Sequence, residues 1–399
     1  MNNTSKEEKE FQKEFSDLEE INKKLHMIDS ELVKLIGKRF EIMEEIISGK
    51  EKGLEFSDKN TKTEIIKENI DNIGDRDFKR YVELILKDIM DTGREYGNFK
   101  RGTSAQYVNN LEFYGKKIGY TGIPGSYAYE VLINLIRNSE NSGKYEEIEK
   151  NIYNWNSHKE LVRKVSTGEM DIGVIPIENS LVGEVRDSID LINNADIYII
   201  GEVKHKIEHN LLGIKGSKID DIKNVYSHEQ AFLQCSKFLE NHTSWKTVKM
   251  SNTALSAKYI METGVPENAC IANMKTKEMY NLELLKEDIN DSKENYTRFF
   301  VISNKNIISE GSNKISIITS TKNEAGALMD LLKIFSDYSL NMVSLKSRPI
   351  INKPWRYYFY IDFEGSLKDG KVKEALEKIR LKSNYLQILG NYRVYNLTI

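Results

Sequence analysis

Cysteine is nearly missing from this chain: Cys235 and Cys270 are the only two, and they lie far apart in sequence. They form no metal-ligand cluster, and their scarcity suits a reducing compartment with both thiols buried as small side chains. A basic excess is missing too. The formal net charge is −3, so neither nucleic acid nor an anionic membrane is expected as a partner on bulk charge. No stretch approaches the roughly 18 apolar residues that span a bilayer. The Asn-, Lys- and Glu-rich N-terminus lacks the apolar core of a signal peptide. A cytoplasmic location is therefore expected. No proline precedes Pro124, so nothing in the first hundred residues forces a helix to break.

What is present is a chain of 399 residues, 39% hydrophobic and 30% charged. That is too long for one ordinary core, and two or three soluble domains are expected. In the first part, Leu18, Ile21, Leu25, Ile28, Leu32, Leu35, Ile42 and Ile46 follow a 3,4 alternation, with Arg39 in the one gap. This is a heptad seam on a long helix, which needs a helical dimer or bundle to bury it. The turn near Ser48–Gly53 ends that helix, and shorter helices are expected over Thr63–Asn72 and Asp75–Tyr96.

The character changes at Lys116. Strand-like runs at Lys117–Gly122, Asp171–Ile177, Ile197–Val203, Asn224–Tyr226 and Ala269–Ala272 alternate with helix-like runs. The helix-like runs are Ala128–Arg137, Ser157–Ser166 and Gln230–Glu240. That alternation predicts a parallel α/β sheet with ligands at the carboxyl ends of its strands. Beyond a polar junction at Ile307–Asn313, the order becomes strand, helix, two strands, helix, strand, a ferredoxin-like βαββαβ pattern.

Several short segments carry chemistry. Thr297-Arg298-Phe299 sets a hydroxyl, a guanidinium and a ring side by side at the start of a buried-looking strand. Before it come Asp171-Ile-Gly-Val-Ile-Pro-Ile-Glu-Asn-Ser180, His209-Asn-Leu-Leu212 and Ser227-His-Glu-Gln-Ala-Phe-Leu-Gln-Cys235. After it come Gly326-Ala-Leu328 and Ser347-Arg-Pro349. In that order they resemble the prephenate dehydratase family, in the form fused to an N-terminal chorismate mutase domain.

The resemblance implies a multidomain protein. An all-α chorismate-mutase-like segment covers 10–100. A two-lobed α/β, periplasmic-binding-protein-like dehydratase domain covers 115–304. A ferredoxin-like α+β ACT domain, a small-ligand sensor, covers 313–399. It implies decarboxylating dehydration of prephenate to phenylpyruvate without metal or organic cofactor, phenylalanine as effector, and a homodimer or homotetramer. A non-catalytic amino-acid sensor, a fully bifunctional mutase–dehydratase and arogenate as substrate remain alternatives.

Dehydration needs a proton or a strong hydrogen bond at the departing hydroxide. It also needs anchors that spare the carboxylate being lost, since clamping that group would favour the ground state. The family pattern puts Thr297 at the hydroxyl, with Glu178, Asn179, Ser227 and Gln234 as further catalytic positions. Arg298 either forks the pyruvyl carboxylate or orders its segment as an ion pair, because adjacent strand residues face opposite ways. Glu178 is either an acid with a raised pKa near the dianion or a carboxylate at a helix N-terminus. Ser180 lies beside it, where a following helix would aim its N-terminus at an anion. His228 is an acid or a helix cap. Thr121, Gly125 and Ser126 belong to a glycine turn able to form an anion nest. His209, Ser251 and Thr253 complete the substrate-binding set.

In the mutase-like segment Arg39, Lys50, Asp58 and Thr92 match family positions. Asn22, Thr61-Lys62 and Tyr96 stand where the family has an arginine, an Arg-Glu pair and a glutamine. Each lost charge-assisted contact costs about 1.5–3 kcal/mol, so mutase activity is expected to be slow and dimerisation the main role. Arg39 and Lys50 would otherwise be an ordinary solvated face. In the ACT-like segment Asn323, Gly326, Ala327, Leu328, Ser347 and Arg348 are the effector-binding set, the alternative being a purely structural dimer interface. Lys346 replaces the family's glutamate and would repel an effector's ammonium group.

Overall fold

A computed structural model describes residues 4–51, 62–139, 142–185, 188–322, 324–350 and 356–396. The chain forms two compact units, residues 1–101 and 102–399.

The first unit is helical: Thr4–Glu51, Lys62–Ile70 and Arg76–Thr103. The third helix continues past the expected end at Tyr96. Leu18, Ile21, Leu25, Ile28, Leu32, Leu35 and Ile42 of the heptad seam are at least half exposed in the single chain. Further along the first helix, Phe40 packs edge-on against Tyr96, and Arg39 reaches the carbonyl of Ile89 at 3.4 Å.

The second unit is built on a ten-stranded sheet. Its central strand, Tyr296–Ser303, explains why a four-residue apolar run appears there in the sequence. Phe299 and Val301 enter one core with Val131, Leu132 and Ile136 of the helix Tyr127–Arg137. Phe300 and Ile302 enter the other, with Leu161 and Val165 of the helix His158–Ser166. A strand covered on both faces loses its polar alternation. Both helices start at a serine cap, Ser126 and Ser157.

The sheet is mixed rather than parallel. Tyr296–Ser303 runs antiparallel to both neighbours, Ile172–Asn179 and Tyr198–Lys206, while Ile118–Thr121 and Ile152–Trp155 add parallel strands at one end. No helix follows Asn179 directly. Asn179 Oδ1 accepts from the amides of Leu181 and Val182 at 3.0 and 3.1 Å. This side-chain turn returns the chain as Gly183–Glu184, paired with Glu178–Asn179.

The second lobe holds a separate five-stranded sheet. Its order is Glu283–Lys286, Asn210–Gly213, Asn268–Ala272, Asn224–Ser227, Lys246–Lys249. The expected helix Gln230–Glu240 is two helices, Glu229–Gln234 and Ser236–Glu240, because Asp291 accepts from the amides of Ser236 and Lys237, both at 3.0 Å, and caps the second. The chain crosses between lobes twice, through residues 207–209 and 287–295. The crossings are bound to each other: Ile207 N to Asn295 O at 2.7 Å, and Asn290 Oδ1 to His209 N at 2.6 Å.

Residues 314–396 complete the pattern expected of them. The strands Lys314–Ser320, Met342–Pro349, Tyr357–Glu364 and Tyr385–Asn396 alternate with the helices Ala327–Asp337 and Gly370–Lys382. Their order, with the second strand at the outer edge and the fourth at the inner, is the antiparallel ferredoxin-like arrangement. This sheet is not detached. Arg393–Asn396 pairs in parallel with Gly201–Lys204, so it continues into the dehydratase-like sheet.

Candidate functional site between the lobes

The register of the central strand decides which side chains meet. Thr297 faces Asn179 directly across the ladder, and the next pair, Arg298 and Glu178, points to the opposite face. Asn179 Nδ2 donates to Thr297 Oγ1 at 3.0 Å and to Asn295 Oδ1 at 2.7 Å. Its oxygen, besides holding the turn, lies 3.4 Å from Gln234 Nε2 across the lobe boundary. Gln234 Oε1 is 2.8 Å from His209 Nε2, and His209 Nδ1 is 3.0 Å from the Tyr127 hydroxyl.

One proton arrangement satisfies all of these. Nε2–H donates to Gln234, the Gln234 amide donates to Asn179, and Asn179 donates to Thr297, while the Tyr127 hydroxyl lies between His209 Nδ1 and the Glu208 carbonyl, which is 2.9 Å away. The Thr297 oxygen is then an acceptor within the protein, and its own proton is directed elsewhere. Burial holds the chain in this state. It lowers the pKa of His209 to about 4 against a weaker, opposing contribution from Gln234, so the ring is neutral. Burial raises the Tyr127 pKa well above its usual value, so the phenol keeps its proton.

Other groups expected here hold the site's walls. Ser180 Oγ donates to Glu294 O at 3.0 Å and accepts from Tyr296 N at 2.9 Å, tying the turn to the Thr297 strand. Ser227 is buried and donates to Ile271 O at 2.8 Å, within the second lobe's own sheet. His228 caps its helix by accepting from Gln230 N, and burial lowers its pKa. Thr121 is buried at its strand's end, and Ser126 caps the next helix. The Gly125 carbonyl accepts from Thr276 Oγ1 at 2.8 Å and Asn273 Nδ2 at 3.2 Å, a bond from lobe to lobe. Gly125 has φ +89 and a Cβ there would meet Thr276, so glycine is required. Ser251 is exposed and Thr253 opens the helix capped by Asn252. Among the described residues, neither bonds to the Thr297 chain.

Two expected roles do not fit the geometry. Arg298 is unavailable for a substrate carboxylate, because its guanidinium binds Glu178 at 3.0 Å, Glu202 at 3.0 Å and Asp362 at 2.7 Å behind the sheet. Burial opposes its charge, but Asp362, Tyr360 and Glu202 outweigh burial and raise its pKa. Glu178 is likewise removed from Thr297, bound to Arg298 and, at 3.0 Å, to Lys346. The period of two along a strand turns each away from its neighbour, Thr297 or Asn179.

The site also gathers residues that carry no motif. Asn295 is buried, with its Nδ2 unpartnered among the described residues. His205 is the ladder partner of Thr297 on its other side, fully buried, with neither ring nitrogen hydrogen-bonded among the described residues. Its Nε2 is 3.6 Å from Glu130, which accepts from Asn273 at 2.6 Å. Neither Asn295 nor His205 is marked as a site residue by a sequence motif.

Comparison with known proteins bears on this geometry. A family model described as prephenate dehydratase matches residues 118–307, and one described as chorismate mutase type II matches residues 21–98. A bifunctional chorismate mutase/prephenate dehydratase from Buchnera aphidicola subsp. Schizaphis graminum is 30% identical over 392 residues, covering 96% of this chain and 98% of the relative. The chain belongs to the bifunctional chorismate mutase/prephenate dehydratase family. A solved prephenate dehydratase from Arthrobacter aurescens, in complex with L-Phe, is 27% identical with a TM-score of 0.62, covering 69% of this chain and 89% of that one. A structure described as a novel type of quorum-quenching acylase is 25% identical with a TM-score of 0.61, covering 70% and 98%.

Of the residues expected to bind an effector, Gly326 has φ +87 and starts the helix Ala327–Asp337 with no side-chain cap, and Ala327 and Leu328 form its first turn. Ser347 is exposed on the edge strand. Arg348 points the other way and is bound to Glu184. Lys346 also faces away from Ser347, paired with Glu178 and, at 3.3 Å, with Glu184. It is therefore not placed to repel an effector on the Ser347 face. Asn323 and Asp58 lie outside the described residues, as does the side chain of Lys50. Thr92 is exposed and donates back to Asp88 O.

Proposed function

We infer that the second unit removes carbon dioxide and hydroxide from prephenate to give phenylpyruvate, with Thr297 at the departing hydroxyl. The ring carboxylate leaves as carbon dioxide, its C–C electron pair enters the ring, and the C–O bond breaks with its pair on oxygen. That oxygen takes a proton and leaves as water. The observation that carries this reading is the hydrogen-bond chain ending on Thr297 Oγ1. The Thr297 oxygen accepts from Asn179, which supports its uncharged hydroxyl as a donor to a substrate. Threonine is a weak acid, so it serves as hydrogen-bond donor or relay. Asn179 and Gln234 orient it, and Asn295 and His205 offer further polar groups. Keeping Arg298 behind the sheet suits the chemistry, since no cation is locked on the carboxylate that must leave.

Residues 313–399 are read as an ACT domain that binds phenylalanine between two copies. The helix start at Gly326–Leu328 supports this, since a first turn without a side-chain cap suits a carboxylate. So do the exposed Met329, Val343 and Leu345 beside an unpaired sheet edge. The exposed heptad seam supports dimerisation through the helical unit. Incubating the protein without added metal with prephenate, arogenate and chorismate in turn tests the assignment. Phenylpyruvate formed from prephenate supports it, and turnover of arogenate alone replaces the substrate.

A further inference from the structure

Directly behind the Asn179–Thr297 pair lies a network of four carboxylates and four cations, equal in number. Glu178, Glu184, Glu202 and Arg298 come from the dehydratase lobe, and Lys314, Lys346, Arg348 and Asp362 from the C-terminal domain. Glu202 and Asp362 are fully buried, and Lys314 binds Glu202 at 2.8 Å. The bonds fall into two groups. Asp362 holds Arg298, the residue after Thr297. Lys346 and Arg348 hold Glu178 and Glu184, the two ends of the hairpin whose turn fixes Asn179. The C-terminal domain thus grips both halves of the catalytic pair from the rear, one residue from each.

We propose that Lys346 and Asp362 are positioning residues for dehydration, fixing the Glu178–Arg298 pair that stands back to back with Asn179–Thr297. This rests on the dehydratase reading. Neighbouring residues of a strand share one backbone and face opposite sides. A tilt of Glu178 and Arg298 therefore tilts Asn179 and Thr297 the other way. The hydroxyl must meet the departing oxygen within a fraction of an ångström, so a small tilt alters turnover. The same arrangement gives the effector a route. Ser347 lies between the two gripping cations and points to the exposed face. A ligand bound against Ser347 that favours one placement of this strand biases the placement of Lys346 and Arg348, and hence of the hairpin.

Truncating Asp362 leaves Arg298 and Lys314 short of a buried partner and threatens the fold. Lys346 is the better probe. It stands at the rim, and without it Glu178 keeps Arg298. In the full chain, Lys346→Met is expected to lower kcat on prephenate about tenfold, with KM within about twofold and an unchanged unfolding midpoint. Lys346→Arg is expected to recover most of the rate. Asp362→Asn should show the same kcat-against-KM split. By calorimetry, phenylalanine should bind parent and Lys346→Met with similar affinity, while its effect on kcat is lost in the variant. Parental kcat in Lys346→Met, or a rise confined to KM, overturns the positioning role. Equal losses in Lys346→Arg and Lys346→Met overturn it too. An inactive parent overturns the dehydratase reading and this role together, whereas an active parent matched by its variants overturns this role alone. If phenylalanine binds neither protein, the effector route falls and the kcat comparison decides the positioning role.

Discussion

The imidazole Nε2 of His209 lies 2.8 Å from the side-chain oxygen of Gln234, with His209 only 2% exposed. The ring sits in a crossing between lobes, so the bond joins that crossing to the end of the helix Glu229–Gln234. Its neutrality has a measurable cost in acid. The folded pKa of about 4 lies below the ordinary 6.5, because burial disfavours the charged ring. The unfolded chain therefore takes up the proton first. Stability from this group is complete above about pH 6.5 and falls as pH drops toward 4, by about 2–3 kcal/mol at pH 4.5. Urea unfolding at pH 7 and 4.5 should show this loss in the parent beyond that of His209→Gln. Equal slopes in the two proteins would mean the ring is protonated or solvated in the fold.

Among the described residues, Gln234 is the side chain that links His209 to Asn179, so its removal should uncouple orientation from fold. Gln234→Leu keeps a similar volume and removes both bonds. Turnover of prephenate is expected to fall about 10- to 100-fold, with circular dichroism and melting temperature near those of the parent. The decisive measurement is steady-state phenylpyruvate production. A variant within twofold of the parent would show that Thr297 needs no such chain.

Thr297→Ala deletes the donor and should lower kcat by about 10²–10³. Thr297→Ser keeps the hydroxyl and its bond from Asn179, and is expected to retain most of the rate. The loss from serine should be the smaller by at least about tenfold. If both variants fall equally, the methyl group and strand packing matter more than the hydroxyl.

In the helical unit, chorismate consumption should be far slower than prephenate dehydration. By the resemblance, Asn22, Thr61 and Lys62 stand where the mutase family has charged residues, and the Tyr96 hydroxyl is bound to Glu44. Losing three charge-assisted contacts corresponds to a rate deficit of ~10³ or more. Direct measurement of chorismate loss checks this. A mutase rate matching the dehydratase rate would show that other cations have taken over.

The parts legible in the sequence were those governed by short-range pattern. The heptad seam, the βαββαβ order and the strand carrying Thr297 follow from periodicity and from capping residues within a few positions. Long-range pairing was less legible. Nothing local at Arg298 announces Asp362, 64 residues later, as its partner. Period two did leave an ion pair as the alternative to substrate binding. The helix break at Cys235 depends on Asp291, a cap supplied from the other crossing. The turn after Asn179 was mistaken for a helix start because Asn suits both, and only the amides of Leu181 and Val182 decide between them.

The parallel pairing of Arg393–Asn396 with Gly201–Lys204 also has a consequence for biosynthesis. The strand Tyr198–Lys206 leaves the ribosome long before its partner, Arg393–Asn396. Until those residues arrive, a hydrophobic strand shows a row of free amides and carbonyls, a template for pairing with another chain. A stalled or truncated product would carry that edge permanently. Protein made without the strand Tyr385–Asn396 is thus expected to aggregate in the cell even where Asn179, Gln234 and Thr297 are all present.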